Sequence, residues 1–189
     1  MALPGPQDPA VIQDKCVRKA NKGIVDIIGN VHAWEEGVRR LDTAIARRQA
    51  YAFETTLGGR TIAAKIQAAT GTHDVIIWFC GLDSPERHIA RVRTRVAQGG
   101  HDIPEAKIRD RYPQAQRNLI NFMPRLAHLQ VYDNSAEVPV GEAIPDPALV
   151  MEMKTGHLIL PAADDVTAPR RTPLWAVPLV EAALSIKRR

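Results

Sequence analysis

The chain has 189 residues, of which 45% are hydrophobic and 24% are charged, a composition typical of one folded globular domain. The formal net charge of +4 is too small by itself to indicate a nucleic-acid-binding protein. The longest apolar run, 75–80, is far too short to cross a membrane, and the first residues, MALPGPQDPA, lack the basic flank and apolar core of a signal peptide. We therefore expect a cytoplasmic protein without a membrane partner.

The two cysteines, Cys16 and Cys80, form no CxxC or Cys/His array, so the sequence predicts no metal site. Cys80 falls within the apolar run and is expected to be buried as a small hydrophobic residue. Both thiols are expected to be reduced in the cytoplasm.

Hydrophobic periodicity predicts helices that alternate with strands along most of the chain. The predicted helices span 9–20, 30–49, 60–69, 85–97, 105–122 and 175–186. The predicted strands span 51–55, 74–82 and 129–132, and a β-hairpin of 149–154 and 157–160 follows them. Residues 24–28 fit either a strand or a helix, 138–147 forms a proline-containing linker, and 164–173 forms a loop.

Strands that alternate with helices of this length predict an α/β fold, built on a parallel sheet with flanking helices. Strand 74–82 is apolar on both faces and is expected to be a central strand. The predicted domains are a core of 1–137 and a C-terminal part of 138–189, whose β-hairpin and helix pack on the core. Ligands of such sheets bind at the carboxyl ends of the strands, where Glu54-Thr55-Thr56 and Asp133-Asn134 fall.

Glu54, at the end of a predicted strand, has two interpretations. In the functional one, its carboxylate orients a substrate hydroxyl while Thr55 and Thr56 bind the substrate. In the structural one, Thr55 or Thr56 caps the next helix and Glu54 pairs with an arginine. The residues alone leave both interpretations open.

An arginine-rich segment surrounds the Gly99-Gly100 pair. The arginines are Arg91, Arg93 and Arg95 before the glycines and Arg109 and Arg111 after them. Arginine supplies the fixed positive charge that a transferring phosphoryl group needs, and a glycine pair between two helices is typical of a lid hinge. The alternative is a basic face in contact with solvent.

Five segments of the sequence together resemble the zeta-toxin-like P-loop kinases. They are FETTLGGR (53–60), GLDSPE (81–86), HIARVRTRVAQGGHDIPEAKIRDRY (88–112), NL (118–119) and VYDNS (131–135), within a resemblance that covers 34–135. This resemblance implies a P-loop kinase-like fold with a helical lid at about 84–123, and ATP with Mg²⁺ as cofactors. It also implies phosphoryl transfer to a hydroxyl of a small molecule, which in the better-known members is the sugar nucleotide UDP-N-acetylglucosamine.

The resemblance also implies roles for individual residues. It gives catalytic roles to Glu54, which would orient the acceptor, and to Arg95 and Arg109, which would clamp the ATP phosphates. It gives acceptor binding to Thr55, Thr56 and Arg60. It gives contact with the nucleotide to Arg91, Arg111 and Asn134.

The sequence departs from this family in one motif. No GxxxxGK[ST] segment, the P-loop that cradles the phosphates, occurs anywhere in the chain. The resemblance begins just after the point where that motif would end, so we expect an N-terminally truncated kinase fold with impaired activity. A sheet without the P-loop strand would expose apolar surface for a protein partner, either an antitoxin or another copy of the chain.

Two other functions remain open. One is a non-catalytic module that binds a nucleotide, another ligand or a protein through the same crevice. The other is a basic nucleic-acid-binding module. We rank the latter last, because the chain contains no recognised nucleic-acid motif and few aromatic residues lie among the arginines.

Overall fold

The computed structural model describes residues 27–138, 142–143, 145–162, 164–165 and 167–186. The helix predicted at 9–20 lies outside these ranges, as does most of segment 24–28. The chain divides into two compact units, 1–55 and 56–189.

The described part of the first unit contains an amphipathic helix, α1 (Ile27–Arg47), which confirms the helix predicted at 30–49. Leu41 and Ala44 lie on its buried side. The helix ends where Arg48 adopts a left-handed backbone with a φ of 54°. A residue in this conformation breaks the helical repeat and ends the helix.

The strand predicted at 51–55 is wrong, because residues 51–56 have no regular secondary structure. Tyr51 and Phe53 alternate with smaller residues, but their rings stack on each other with centroids 5.8 Å apart. A strand needs a neighbouring strand for its N–H and C=O groups, and the described part of the first unit contains none. Glu54 therefore does not end a strand.

Helix α2 (Arg60–Ala69) begins after a turn with two glycines in the second unit. Leu57, which is 3% exposed, anchors this turn in the core with a left-handed φ of 56°. The buried Asn118 amide donates a hydrogen bond of 2.6 Å to the Leu57 carbonyl and a longer one of 3.5 Å to the Gly59 carbonyl. These contacts fix the residues just before α2.

A four-stranded sheet lies at the centre of the second unit in the described part of the chain. Its order is β1 (Ile76–Gly81), β2 (His128–Asp133), β3 (Ala148–Lys154) and β4 (His157–Leu160). β1 and β2 are parallel, whereas β2–β3 and β3–β4 are antiparallel. The predicted α/β class and the hairpin are confirmed, but the sheet is mixed. Because β2 pairs with β3, the sheet crosses the predicted domain boundary at 137–138.

One face of the sheet forms the hydrophobic core. Leu129, Val131 and Met151 lie on this face and are fully shielded from solvent. Leu119 and Leu179, from helices in the later part of the chain, are shielded to the same degree. Burial of such large apolar side chains is the main stabilising contribution to the second unit.

β1 is an edge strand among the described strands, and the prediction of a central strand buried on both faces is wrong. Ile76 and Trp78 are 55% and 49% exposed, and Cys80, which was expected to be buried, is exposed as well. An uninterrupted apolar run identifies a strand, but it carries no information about which neighbours cover it. Apolar side chains of β1 are therefore exposed at this edge of the described sheet.

A helical hairpin connects β1 to β2. Its helices are α3 (Pro85–Ala97) and α4 (Glu105–Phe122), as predicted, and a short 3₁₀ turn, Met123–Arg125, follows. The Ser84 hydroxyl accepts a hydrogen bond of 3.2 Å from the Arg87 amide, as expected for an N-cap. Two parallel strands require a crossover of this kind.

The C-terminal part adds α5 (Ala168–Arg171), a 3₁₀ turn (Leu174–Ala176) and α6 (Val177–Ser185). The 3₁₀ turn and α6 confirm the helix predicted at 175–186, whereas α5 lies where a loop was predicted. The Asp165 carboxylate accepts hydrogen bonds from the Thr167 amide at 3.0 Å and the Thr167 hydroxyl at 2.7 Å. These bonds order the chain just before α5, so that a short helix forms.

The indole ring of Trp175 lies directly on Gly81 at the end of β1. A Cβ atom at Gly81 would lie 2.1 Å from Cη2 of Trp175. We expect Gly81→Ala to lower the free energy of unfolding by about 1–3 kcal/mol, because the indole would have to move. Urea denaturation measures this loss. The control is Gly59→Ala, whose Cβ would meet nothing within 4 Å; equal losses in the two variants would contradict the packing argument.

Candidate functional site

The carboxyl ends of β1 and β2 lie side by side because the two strands are parallel. Asp83 follows the first strand, and Asp133 ends the second. The Asn134 amide donates a hydrogen bond of 2.9 Å to the Gly81 carbonyl, which continues the pairing beyond β2. We name the polar residues at this edge the carboxyl-end cluster: Asp83, Ser84, Arg87, Arg91, Asp133, Asn134 and Ser135.

The Ser135 side chain joins the two strand ends. Its hydroxyl accepts a hydrogen bond of 2.8 Å from the Asp83 amide and donates one to Oδ1 of Asp133. The same Oδ1 accepts hydrogen bonds from the Ser135 amide at 3.1 Å and from the Trp175 indole at 3.2 Å. Three donors on one oxygen fix the orientation of the Asp133 carboxylate.

Arg87 neutralises the acid at the other strand end. Its guanidinium donates two parallel hydrogen bonds of 2.8 Å to Asp83 and a third, also of 2.8 Å, to Glu137. This contact with Arg87 lowers the pKa of the Asp83 carboxyl, and both acids raise the pKa of Arg87. Asp83 is thus a charged, occupied carboxylate and is not available as a general base.

Arg91 and Asn134, both predicted to contact a nucleotide, are brought together. Nη2 of Arg91 donates a hydrogen bond of 2.7 Å to the Asn134 carbonyl and a longer one of 3.5 Å to the Ala136 carbonyl. The contact ties α3 to the residues that follow β2. It therefore places the arginine-rich segment over the carboxyl ends of the parallel pair.

Arg95 and Arg109, the two predicted phosphate clamps, bind groups of the helical hairpin itself. Arg109 forms an ion pair with Glu86, and Nη2 of Arg95 donates a hydrogen bond of 3.0 Å to the His101 carbonyl. Contact with Glu86 raises the pKa of Arg109, and contact with Arg109 lowers the pKa of Glu86. A phosphate would compete with Glu86 for Nη1 of Arg109.

A second basic group lies at the start of α2. Arg111 packs against Gly58, where a Cβ atom would lie 2.6 Å from Cβ of Arg111. Thr56, Arg60 and Arg111 are exposed, and neither arginine has a hydrogen bond or ion pair with another described residue. The first N–H groups of a helix carry partial positive charge, so this end of α2 is a basic surface that attracts anions.

Glu54 and Thr55 belong to the first unit, whereas the other predicted site residues belong to the second. Both are exposed and lie in the irregular segment 51–56. Since Glu54 does not end a strand, the prediction that it is catalytic rests on the sequence resemblance and not on a position in the sheet.

Tyr112 and His88 join the site without having been predicted. The Tyr112 hydroxyl donates a hydrogen bond of 2.8 Å to the Leu82 carbonyl, just after β1, and the two rings meet edge to face with centroids 5.7 Å apart. Burial raises the pKa of Tyr112. Burial lowers the pKa of His88, and the nearby Arg91 lowers it further, which favours a neutral imidazole.

The roles of Arg87, Ser135 and Trp175 at the carboxyl-end cluster were also not predicted from the sequence. A signal existed for Ser135, because a serine two residues after an aspartate is typical of a turn in which the carboxylate accepts from the backbone. A signal also existed for Arg87, which stands four residues after Asp83 at the start of a predicted helix. Trp175 lies far away in the sequence, and its contact with Asp133 could not be read from spacing.

Among the described residues, no three His, Cys, Asp or Glu side chains are grouped so that they could hold a metal ion. Within the same ranges, every helix is too short or too polar to cross a membrane. Comparisons with protein families, curated proteins and solved structures found no match.

The contact of Arg87 with its two acids stabilises the fold only while the carboxylates are ionised. The stabilisation by Asp83 is complete above the pKa of an unfolded aspartate, about 4, and is lost as the pH falls through the lower pKa of the folded state. We expect Arg87→Ala to lower the melting temperature by about 1–3 °C at pH 7 and to have almost no effect near pH 2.

The matched control for this prediction is Arg117→Ala. Arg117 is an exposed arginine that binds the neutral side chain of Gln114. Its removal should change the melting temperature by a similar amount at both pH values. A loss in Arg87→Ala that does not depend on pH would contradict the ionic origin of the stabilisation.

Proposed function

We propose that this chain is a phosphotransferase of the zeta-toxin type, which transfers a phosphoryl group to a hydroxyl of a small molecule such as a sugar nucleotide. One observation carries the proposal. The GLDSPE and VYDNS segments meet at the carboxyl ends of two parallel strands, where Ser135 binds the Asp83 amide. Ligands of α/β sheets bind at this position, and α3, the first of the two arginine-rich helices, begins there.

The free positive charge of the second unit supports a phosphorylated substrate. Arg60 is the first residue of α2, and Arg111 of α4 packs against Gly58 just before it; both side chains are exposed and bind no other described residue. Arginines near a helix N-terminus suit a phosphate, which accepts hydrogen bonds from guanidinium groups. We therefore assign phosphate binding first to Arg60 and Arg111, and only second to Arg95 and Arg109, which have protein partners.

ATP with Mg²⁺ is the phosphoryl donor that the resemblance implies, but the residues present fit it only in part. The basic end of α2 suits the phosphates. The sequence lacks the lysine and the Ser/Thr hydroxyl of GxxxxGK[ST], which hold the phosphates and the metal ion in P-loop proteins. Transfer is therefore expected to be slow, because such contacts supply much of the stabilisation of the transition state.

A second candidate function is a non-catalytic module that binds a nucleotide or another phosphorylated ligand. It is favoured by the pairing of Arg91, Arg95 and Arg109 with carbonyl and carboxylate groups of the chain. Arginines that are held in this way are not free to follow a phosphoryl group as it moves. Both candidates use the basic end of α2, and they differ only in turnover.

Binding of Mg²⁺–ATP, measured by titration calorimetry, tests the shared part of the two candidates. We expect Arg60→Ala and Arg111→Ala each to weaken binding by about tenfold, because each removes a charged hydrogen-bond donor. Arg117→Ala is the matched control and should bind as the wild type does. Absence of binding by the wild-type chain would refute the phosphotransferase.

Turnover then separates the enzyme from the binding module. Radiolabelled ATP and a sugar nucleotide should give a labelled product, and Glu54→Gln should slow its formation without weakening ATP binding. Tight binding of ATP with no transfer to any hydroxyl acceptor would leave the binding module as the function.

A further inference from the structure

Two reciprocal ion pairs join the helices of the α3–α4 hairpin. Glu86, in the first turn of α3, binds Arg109 of α4. Glu105, in the first turn of α4, binds Arg93 of α3. All four side chains are between 48% and 71% exposed, so both pairs can be reached from solvent.

The turn between the two helices is held by a third arginine. The Gly100 amide donates a hydrogen bond of 2.9 Å to the Arg95 carbonyl, and Nη2 of Arg95 binds the His101 carbonyl. Gly99 has a left-handed φ of 84°, and a Cβ atom at Gly100 would lie 2.5 Å from Cγ of Arg95. Contacts with Arg95 therefore hold the turn in place, and the two ion pairs join the helices on either side of it.

A pocket that is open to solvent lies beside the apolar contact of the two helices. Ile89 and Ile108 are buried, and both line this pocket of about 230 Å³ together with Arg93 and Glu105. The Arg93–Glu105 pair therefore stands at the wall of a pocket that solvent can enter.

Glu86 and Glu105 occupy Arg109 and Arg93, and an anion with more negative charge can displace them. Each acid lies at a helix N-terminus, where the partial positive charge of the helix keeps a carboxylate in place. Exposed ion pairs of this kind are weak in water. A polyphosphate carries several negative charges and accepts bidentate hydrogen bonds from arginine, so it can compete with a single carboxylate.

We propose that the reciprocal pairs Glu86–Arg109 and Glu105–Arg93 form a latch that withholds two arginines of the hairpin, and that a polyphosphate ligand binds the hairpin by displacing Glu86 and Glu105. The proposal rests on the proposed function for the class of ligand. It adds a regulatory contact. Glu86 and Glu105 lower the affinity of the hairpin for polyphosphate, and their removal makes Arg109 and Arg93 available to the ligand.

Calorimetric titration of the full chain with inorganic tripolyphosphate, without metal ions, tests the latch. We expect the double variant Glu86→Gln, Glu105→Gln to bind tripolyphosphate about two- to tenfold more tightly than the wild type, since two competing exposed ion pairs are lost. The affinity of the variant should also fall more steeply with added salt, because more arginines contact the ligand.

The control is Asp110→Asn, which removes one negative charge from the same hairpin and is compared with the single variants Glu86→Gln and Glu105→Gln. Asp110 is exposed and has no ion pair with any described residue, so its removal frees no arginine. An equal gain in affinity in this control would overturn the latch, because the gain would then come from net charge alone. The charge swap Glu86→Arg with Arg109→Glu keeps an ion pair at this position. Its affinity for tripolyphosphate should therefore equal that of the wild type and lie below that of Glu86→Gln.

Hydrogen exchange of the amides of 98–100, which donate hydrogen bonds to the end of α3, provides a measurement that does not depend on any ligand. These amides should exchange faster in the double variant than in the wild type or in Asp110→Asn, because the hairpin opens more often. Unchanged exchange together with unchanged or absent tripolyphosphate binding would overturn the latch. Failure of the proposed function is a separate result, since it concerns Mg²⁺–ATP binding through Arg60 and Arg111.

Discussion

The parallel pairing of β1 with β2 is the constraint on which the rest of the second unit depends. Two parallel strands cannot be joined by a tight turn, so the chain has to return from the carboxyl end of β1 to the amino end of β2. The α3–α4 hairpin makes this return and begins at the carboxyl ends. Arg87 and Arg91 therefore lie beside the residues that follow β2, and the Ser135 hydroxyl ties the two strand ends together.

The arginines of the second unit differ in their partners more than in their positions along the sequence. Carboxylates and carbonyls of the chain accept hydrogen bonds from Arg87, Arg91, Arg93, Arg95 and Arg109, whereas Arg60 of α2 and Arg111 of α4 have no such partner among the described residues. A guanidinium that already has an acceptor offers less to a phosphate than one surrounded by water. The positions of the chain's own carboxylates and carbonyls therefore decide which arginines can bind a ligand and which ones stabilise the fold.

Local signals in the sequence predicted most helices and strands. The sequence contained no comparable signal for contacts between residues far apart in the chain. The Ser84-Pro85 cap and the Thr155-Gly156 turn, whose residues both have a positive φ, depend on neighbouring residues alone. The strand at 51–55 and the central place of β1 depend on partners elsewhere, and both predictions were wrong. The resemblance assigned Arg91 and Asn134 to the same ligand, but the pairing of Arg109 with Glu86 needed the angle between two helices.

Trp175 gives the carboxyl-end cluster an optical reporter. Its ring packs on Gly81 and lies 6.4 Å from that of Phe79, and its indole N–H binds Asp133. Trp175 is 8% exposed, whereas the two other tryptophans, Trp34 and Trp78, are 51% and 49% exposed. Buried indoles emit at shorter wavelengths than hydrated ones, so the blue edge of the emission spectrum comes mainly from Trp175. Light from that edge reports directly on the carboxylate that the indole touches, without any label on the chain.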